Sequence, residues 1–142
     1  MKVDSRRLAY LLLRATIGSV FLLYGVGKFL RGFTLVAEGM QKDFAATWLP
    51  ASMVYLFGCL LPFAEVITGA LLILGLFTRF AAVLAGLLIL ALTAGLTIAG
   101  NSTGVALNLV FAVALFILLY VIDENELSLD AKLRQNGRGG TG

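Results

Sequence analysis

Four long apolar runs separated by short polar breaks organise this chain. Residues 8–27, 52–77, 80–99 and 105–122 are almost free of charged side chains. Each is close to or above the roughly 20 residues that an α-helix needs to cross a bilayer. The breaks differ in kind. Thr78-Arg79 is a tight turn, and Gly100-Asn101-Ser102-Thr103-Gly104 is a turn built from residues that favour turns. Residues 28–50 are longer and mixed, with Arg31, Glu38, Lys42 and Asp43 among Phe29, Phe33, Phe44 and Trp48. That mixture predicts a loop holding a short helix at the membrane surface, aromatics inward. Beyond residue 122, the acidic run 123–126 leads into a mixed-charge tail that reads as disordered. The expected fold class is therefore all-α: an integral membrane four-helix bundle with a short interfacial helix in the first loop. Residues 1–126 form one membrane domain and 127–142 a polar cytoplasmic tail.

Composition narrows the function classes. The chain is 60% hydrophobic and 13% charged, against about 45–50% and about 25% for a soluble domain, which excludes a soluble enzyme, a disordered chain and a disulfide scaffold. There is no His and one Cys, Cys59. His-ligated haem, His-based zinc or iron sites, a CxxC pair and an internal disulfide are thereby excluded. No metal, haem or flavin is expected from this chain, and any electron carrier must come from a partner or a diffusible cofactor.

The net charge of +3 does not point to nucleic acid, because the basic residues follow membrane topology. With four spans, the side of the termini collects Lys2, Arg6, Arg7, Arg79, Lys132, Arg134 and Arg138, whereas the other side holds Lys28, Arg31 and Lys42. The bias places the termini in the cytoplasm and the long first loop outside. The first apolar run reads as a retained span, since Arg14 interrupts it and no small-residue cleavage site follows. Small residues four apart in the third span, Ala82 with Gly86 and Ala91 with Gly95 and Ala99, predict close helix packing. Tyr10, Tyr24, Trp48, Tyr55 and Tyr120 fall near span ends, where interfacial aromatics sit.

Arg14 and Glu65 are the ionisable residues inside the spans. A charge at the bilayer centre costs roughly 2.5–3.5 kcal/mol even on a lenient scale, so such residues pair, line a cavity or do chemistry. The first two spans should be antiparallel neighbours. Arg14 is then expected to reach Glu65 as a bidentate pair, either a proton or substrate site or an ion pair that pins helix register. Pro62 lies three residues before Glu65, removing a backbone hydrogen bond and clashing with the Gly58 carbonyl. It predicts a bend beside the carboxylate. Cys59 reads as a small buried hydrophobe. Lys28, ending Gly25-Val26-Gly27-Lys28, is a weak match to half a phosphate loop and reads better as a lysine snorkelling to the interface. Arg79 reads as a topology anchor. Thr93, Thr97 and Asn101 form a polar stripe on the third span, and Asn108 adds a polar group to the fourth. Interhelical hydrogen bonds explain them, and a lining for a quinone head group or small solute is the sharper reading.

These residues resemble the DoxX family of four-span membrane proteins. The resemblance covers roughly residues 8–122 and rests on Arg14 with Gly18, on Gly25 to Lys28, and on the spacing of Glu65, Gly69, Gly75, Arg79, Ala81 and Ala82. The family is named for association with a membrane thiosulfate:quinone oxidoreductase, and other relatives are thought to assist thiol-linked or assembly complexes. The resemblance implies a quinone cofactor. Arg14 would then hold a quinone oxygen or an anion, and Glu65 would accept or deliver protons. Glu65 and Arg14 are the candidate catalytic residues, and Arg14, Glu65, Thr97, Asn101 and Asn108 the candidate quinone-binding set. Implied partners are the lipid bilayer and another membrane or redox subunit, with self-association left open. Three readings compete: a quinone-linked oxidoreductase subunit without its own electron carrier, a non-enzymatic scaffold or assembly factor, and a small-solute transporter.

Overall fold

A computed structural model describes the backbone of residues 4–138 and the side chains of residues 4–133. Six α-helices run in chain order among the described residues: α1 (Ser5–Arg31), α2 (Phe33–Asp43), α3 (Ala51–Leu74), α4 (Thr78–Ile98), α5 (Ser102–Tyr120) and α6 (Leu129–Arg138), with a one-turn 3₁₀ segment at Ile122–Glu124. Helices α1, α3, α4 and α5 are long and apolar enough to cross a membrane. They form the expected four-helix membrane bundle, whose outward positions, such as Leu23, Leu60, Leu90 and Val110, are large exposed apolar side chains of the kind a bilayer solvates. Below, the terminal end of the bundle is the one holding the start of α1 and the end of α5. The loop end is the opposite one.

The closest helix approach lies between α1 and α3, not along the small-residue stripe expected on α4. A Cβ on Gly18 would stand 3.0 Å from the Gly69 carbonyl oxygen, and one on Gly25 would stand 2.9 Å from the Pro62 carbonyl oxygen. A Cβ on Gly69 would press on the backbone of Leu22 and Gly18. Without a hydrophobic drive between helices in lipid, such backbone contact supplies the dispersion energy of association. On α4, Ala81, Ala82 and Ala85 are buried, but Ala91 and Ala99 are exposed and Gly86 faces open space.

The first loop turns at Gly32 (φ 92°) into α2, which lies against the first half of α3. Ala37 is fully buried there, with its Cα 2.8 Å from where a Gly58 Cβ would be. The rings of Phe29, Phe33 and Phe63 meet edge to face beneath this turn, with centroids 4.7–6.2 Å apart. Of the four aromatics expected to turn inward, Phe29 and Phe44 are half-buried, whereas Phe33 and Trp48 are exposed, Trp48 at 77%. Helix α3 continues through Pro62 and stops at Gly75, a left-handed cap (φ 65°) that ends the span at Leu74 rather than at residue 77.

Two expectations fail at the terminal end. Tyr10 is not interfacial but part of the core, one turn from Arg14. The tail is not wholly disordered: Ser128 Oγ accepts from the Ala131 amide to start α6. Asp130 Oδ1 and Oδ2 accept from the Phe77 and Thr78 amides at 2.8 and 2.9 Å. The carboxylate caps the start of α4 from another part of the chain, satisfying donors that have no partner within their own helix. It also holds Phe77 in a left-handed conformation (φ 47°) that a bulky residue rarely adopts.

Candidate functional site

Two polar centres lie inside the bundle, and each contains one of the ionisable residues read from the spans. At the terminal end Arg14 is 2% exposed. Its Nη1 donates to Asn125 Oδ1 and its Nη2 to the Leu127 carbonyl oxygen, both at 3.1 Å. Asn125 Nδ2 donates to Thr78 Oγ1 at 2.9 Å, and Thr78 Oγ1 donates to Asp130 Oδ2 at 2.9 Å. Gly75 closes this centre, because a side chain there would occupy the Arg14 guanidinium's place. The guanidinium thus fastens the segment after α5 to the α3–α4 turn.

The expected Arg14–Glu65 pair does not form. Antiparallel register sets Gly25 beside Pro62 and Val66, and Gly18 beside Gly69 and Ile73. Arg14 therefore faces the Gly75 turn, about ten residues beyond Glu65, or about 15 Å along α3. No arginine side chain spans that offset while also binding Asn125 and Leu127.

Glu65 pairs instead with Lys28, whose Nζ lies 2.5 Å from Glu65 Oε1. Lys28 does not snorkel to the interface; its side chain is 16% exposed and turned into the bundle. Sequence reasoning missed it, although a signal was present. Tyr10, Arg14, Ile17, Phe21 and Gly25 mark the buried face of α1, and the three- and four-residue steps of that stripe continue to residue 28.

The Lys28–Glu65 pair opens on a cavity of about 330 Å³ between α1, α3, α4 and α5. Phe21, Ile89, Leu92 and Phe111 supply apolar walls, and Tyr24, Lys28, Glu65 and Asn108 supply polar groups. Lys28 Nζ stands 6.0 Å from the centre of the Tyr24 ring, within reach of a cation–π attraction. Glu65 Oε2 and Asn108 Nδ2 are buried without a hydrogen-bond partner. Leaving such a group unsatisfied costs about 1–3 kcal/mol, more when it is charged. The site therefore offers a carboxylate oxygen, two further ammonium N–H groups and an amide donor to whatever enters it.

Of the residues read from the sequence as candidates, the fold brings Glu65 and Asn108 together. Arg14 lies about 21 Å from Lys28 along α1. Thr97 is exposed and donates to the Thr93 carbonyl oxygen, while Asn101 caps α5 by accepting from the Gly104 amide. Neither Thr97 nor Asn101 lines the cavity.

No curated protein and no solved structure matches the chain. The sequence model of the DoxX family matches residues 9–101, which carry α2, α3, α4 and nearly all of α1, with both Lys28 and Glu65, and the chain accordingly belongs to the DoxX family of membrane proteins.

Proposed function

We propose that this multi-pass membrane protein binds a quinone head group in the Lys28–Glu65 cavity and serves as a subunit of a quinone-linked redox complex of the thiosulfate:quinone type. In this reading the termini lie in the cytoplasm, on the side richer in Lys and Arg. The observation that carries it is the unpartnered Glu65 Oε2 beside a lysine, facing an apolar-walled cavity.

The residues fit such a ligand. A cavity of about 330 Å³ is at the lower end of small-molecule pockets and suits one substituted ring. Lys28 and Asn108 are donors for carbonyl oxygens, and Glu65 Oε2 is an acceptor for a hydroxyl. A bound quinone supplies carriage of two electrons and two protons. The chain's own residues orient the ring, keep water out with Phe21, Ile89, Leu92 and Phe111, and hold a proton at Glu65 Oε2. Lys28 positions the carboxylate through Oε1, leaving Oε2 for that exchange. With no His and one Cys in the chain, the electrons come from a partner subunit.

Purification from native membranes in mild detergent, with mass spectrometry of bound protein and lipid, tests this. The expected result is a stoichiometric redox partner and a quinone that is lost in Glu65→Gln. A protein that carries neither, and that binds no added quinone, refutes the proposal in favour of a scaffold or transporter.

A further inference from the structure

The walls of the cavity are unequal. At the loop end it is closed by the α4–α5 turn: Leu96 Cδ1 stands 2.9 Å from where a Gly104 Cβ would be, and the Asn101 side chain stands 3.3 Å from the same point. Phe44 packs on the same turn of α4, its Cζ 3.2 Å from a Gly95 Cβ position. At the terminal end the seam between α1 and α5 is sealed by Ile17, Leu115 and Leu118, all buried in the core. Between these closures the seam gapes. Tyr24 on α1 and Leu107 on α5 both line the cavity, yet they are 61% and 62% exposed. Both lie on helices long and apolar enough to cross a membrane, so their exposed surface faces lipid toward the loop-side end of the bundle.

We infer that the ligand enters sideways from the bilayer through the α1–α5 seam between Tyr24 and Leu107, and that it is an amphiphile whose apolar tail stays in that seam while its polar ring reaches Lys28 and Glu65. This rests on the quinone-binding reading above. It adds a route and a selection rule: the tail is part of what is recognised, and a water-borne solute of the same head group has no comparable path. Leu107 is a gating position rather than a contact for the ring.

The test uses the full chain in nanodiscs with two radiolabelled probes, a decyl-tailed benzoquinone and the same head group without its tail. Leu107→Trp fills the seam, Leu107→Ala widens it, and Val113→Trp adds at least as much bulk at another exposed position of α5 that does not line the cavity. For the tailed probe, Leu107→Trp should slow association and dissociation together by at least tenfold, Leu107→Ala should speed both, and Val113→Trp should leave both unchanged. The tail-less probe should bind wild type at least tenfold more weakly. Unchanged rates in both Leu107 variants, with binding still abolished by Glu65→Gln, would overturn the lateral route while leaving the site intact. Equal affinity for the two probes would overturn the role of the tail. Failure of wild type to bind either probe would remove the site itself and the route with it.

Discussion

Removing Lys28 should destabilise this protein far more than its place three residues from the end of α1 would imply. In Lys28→Met the Glu65 carboxylate keeps its burial, 6% side-chain exposure, and loses its counter-charge. Oε1 then joins Oε2 as an unpartnered oxygen. Breaking a buried pair in this way costs about 3–5 kcal/mol. A chain of this length shifts its midpoint by roughly 3 °C per kcal/mol, so the melting temperature should fall by roughly 10–15 °C. Glu65→Gln should cost less, because the lysine left behind is close enough to the helix end to swing its ammonium toward the interface. The double variant Lys28→Met/Glu65→Leu should return close to wild-type stability, since an apolar replacement of a buried pair is often neutral or better. Thermal unfolding in detergent, followed by circular dichroism, compares the four proteins. A Lys28→Met protein as stable as wild type would refute the reasoning, as would a double variant no better than the single. The stable double variant also separates structure from function: it should fold and yet bind no tailed benzoquinone.

Four further outcomes follow at other positions. Gly69→Leu should prevent assembly of the α1–α3 pair, because its side chain would meet backbone rather than a flexible side chain. Gly27→Ala, with open space around it, should raise stability by about 0.5–1 kcal/mol, and parallel melting curves compare the two. Asp130→Ala should lose the trans cap on α4, costing up to about 2 kcal/mol and exposing the segment after α5 to limited proteolysis. Thr97→Val should leave quinone binding unchanged, because the hydroxyl is committed to the Thr93 carbonyl oxygen on an exposed face.

Much of this architecture was legible in the sequence because it depends on properties each segment carries alone. Apolar run length decides whether a helix can span a bilayer. Gly100 makes a turn and Asn101 caps α5, which begins within the Gly-Asn-Ser-Thr-Gly stretch at Ser102, and the aromatics after Lys28 mark an element packed against the bundle. Two buried charges were likewise visible as charges that must be answered by something. What answers them was not visible. In the sequence Arg14 and Glu65 are each the obvious counter-charge for the other, but their separation is set by the register of α1 on α3. That register is fixed where Gly18, Gly25 and Gly69 let two backbones touch, a contact between residues more than 35 positions apart in the chain. It moves Arg14 to the Gly75 turn and the Asn125 segment, and it delivers Lys28, by local sequence an end-of-helix anchor, to Glu65. The tail shows the same division. Its polar residues looked too hydrophilic to order themselves, and by local composition they are, but Asp130 and Asn125 find partners on α1 and α4 that exist only once the bundle has formed. Segment composition determined which helices enter the membrane. Packing at the α1–α3 contact, a long-range and shape-dependent event, decided which charges meet and where the bundle leaves room for a ligand.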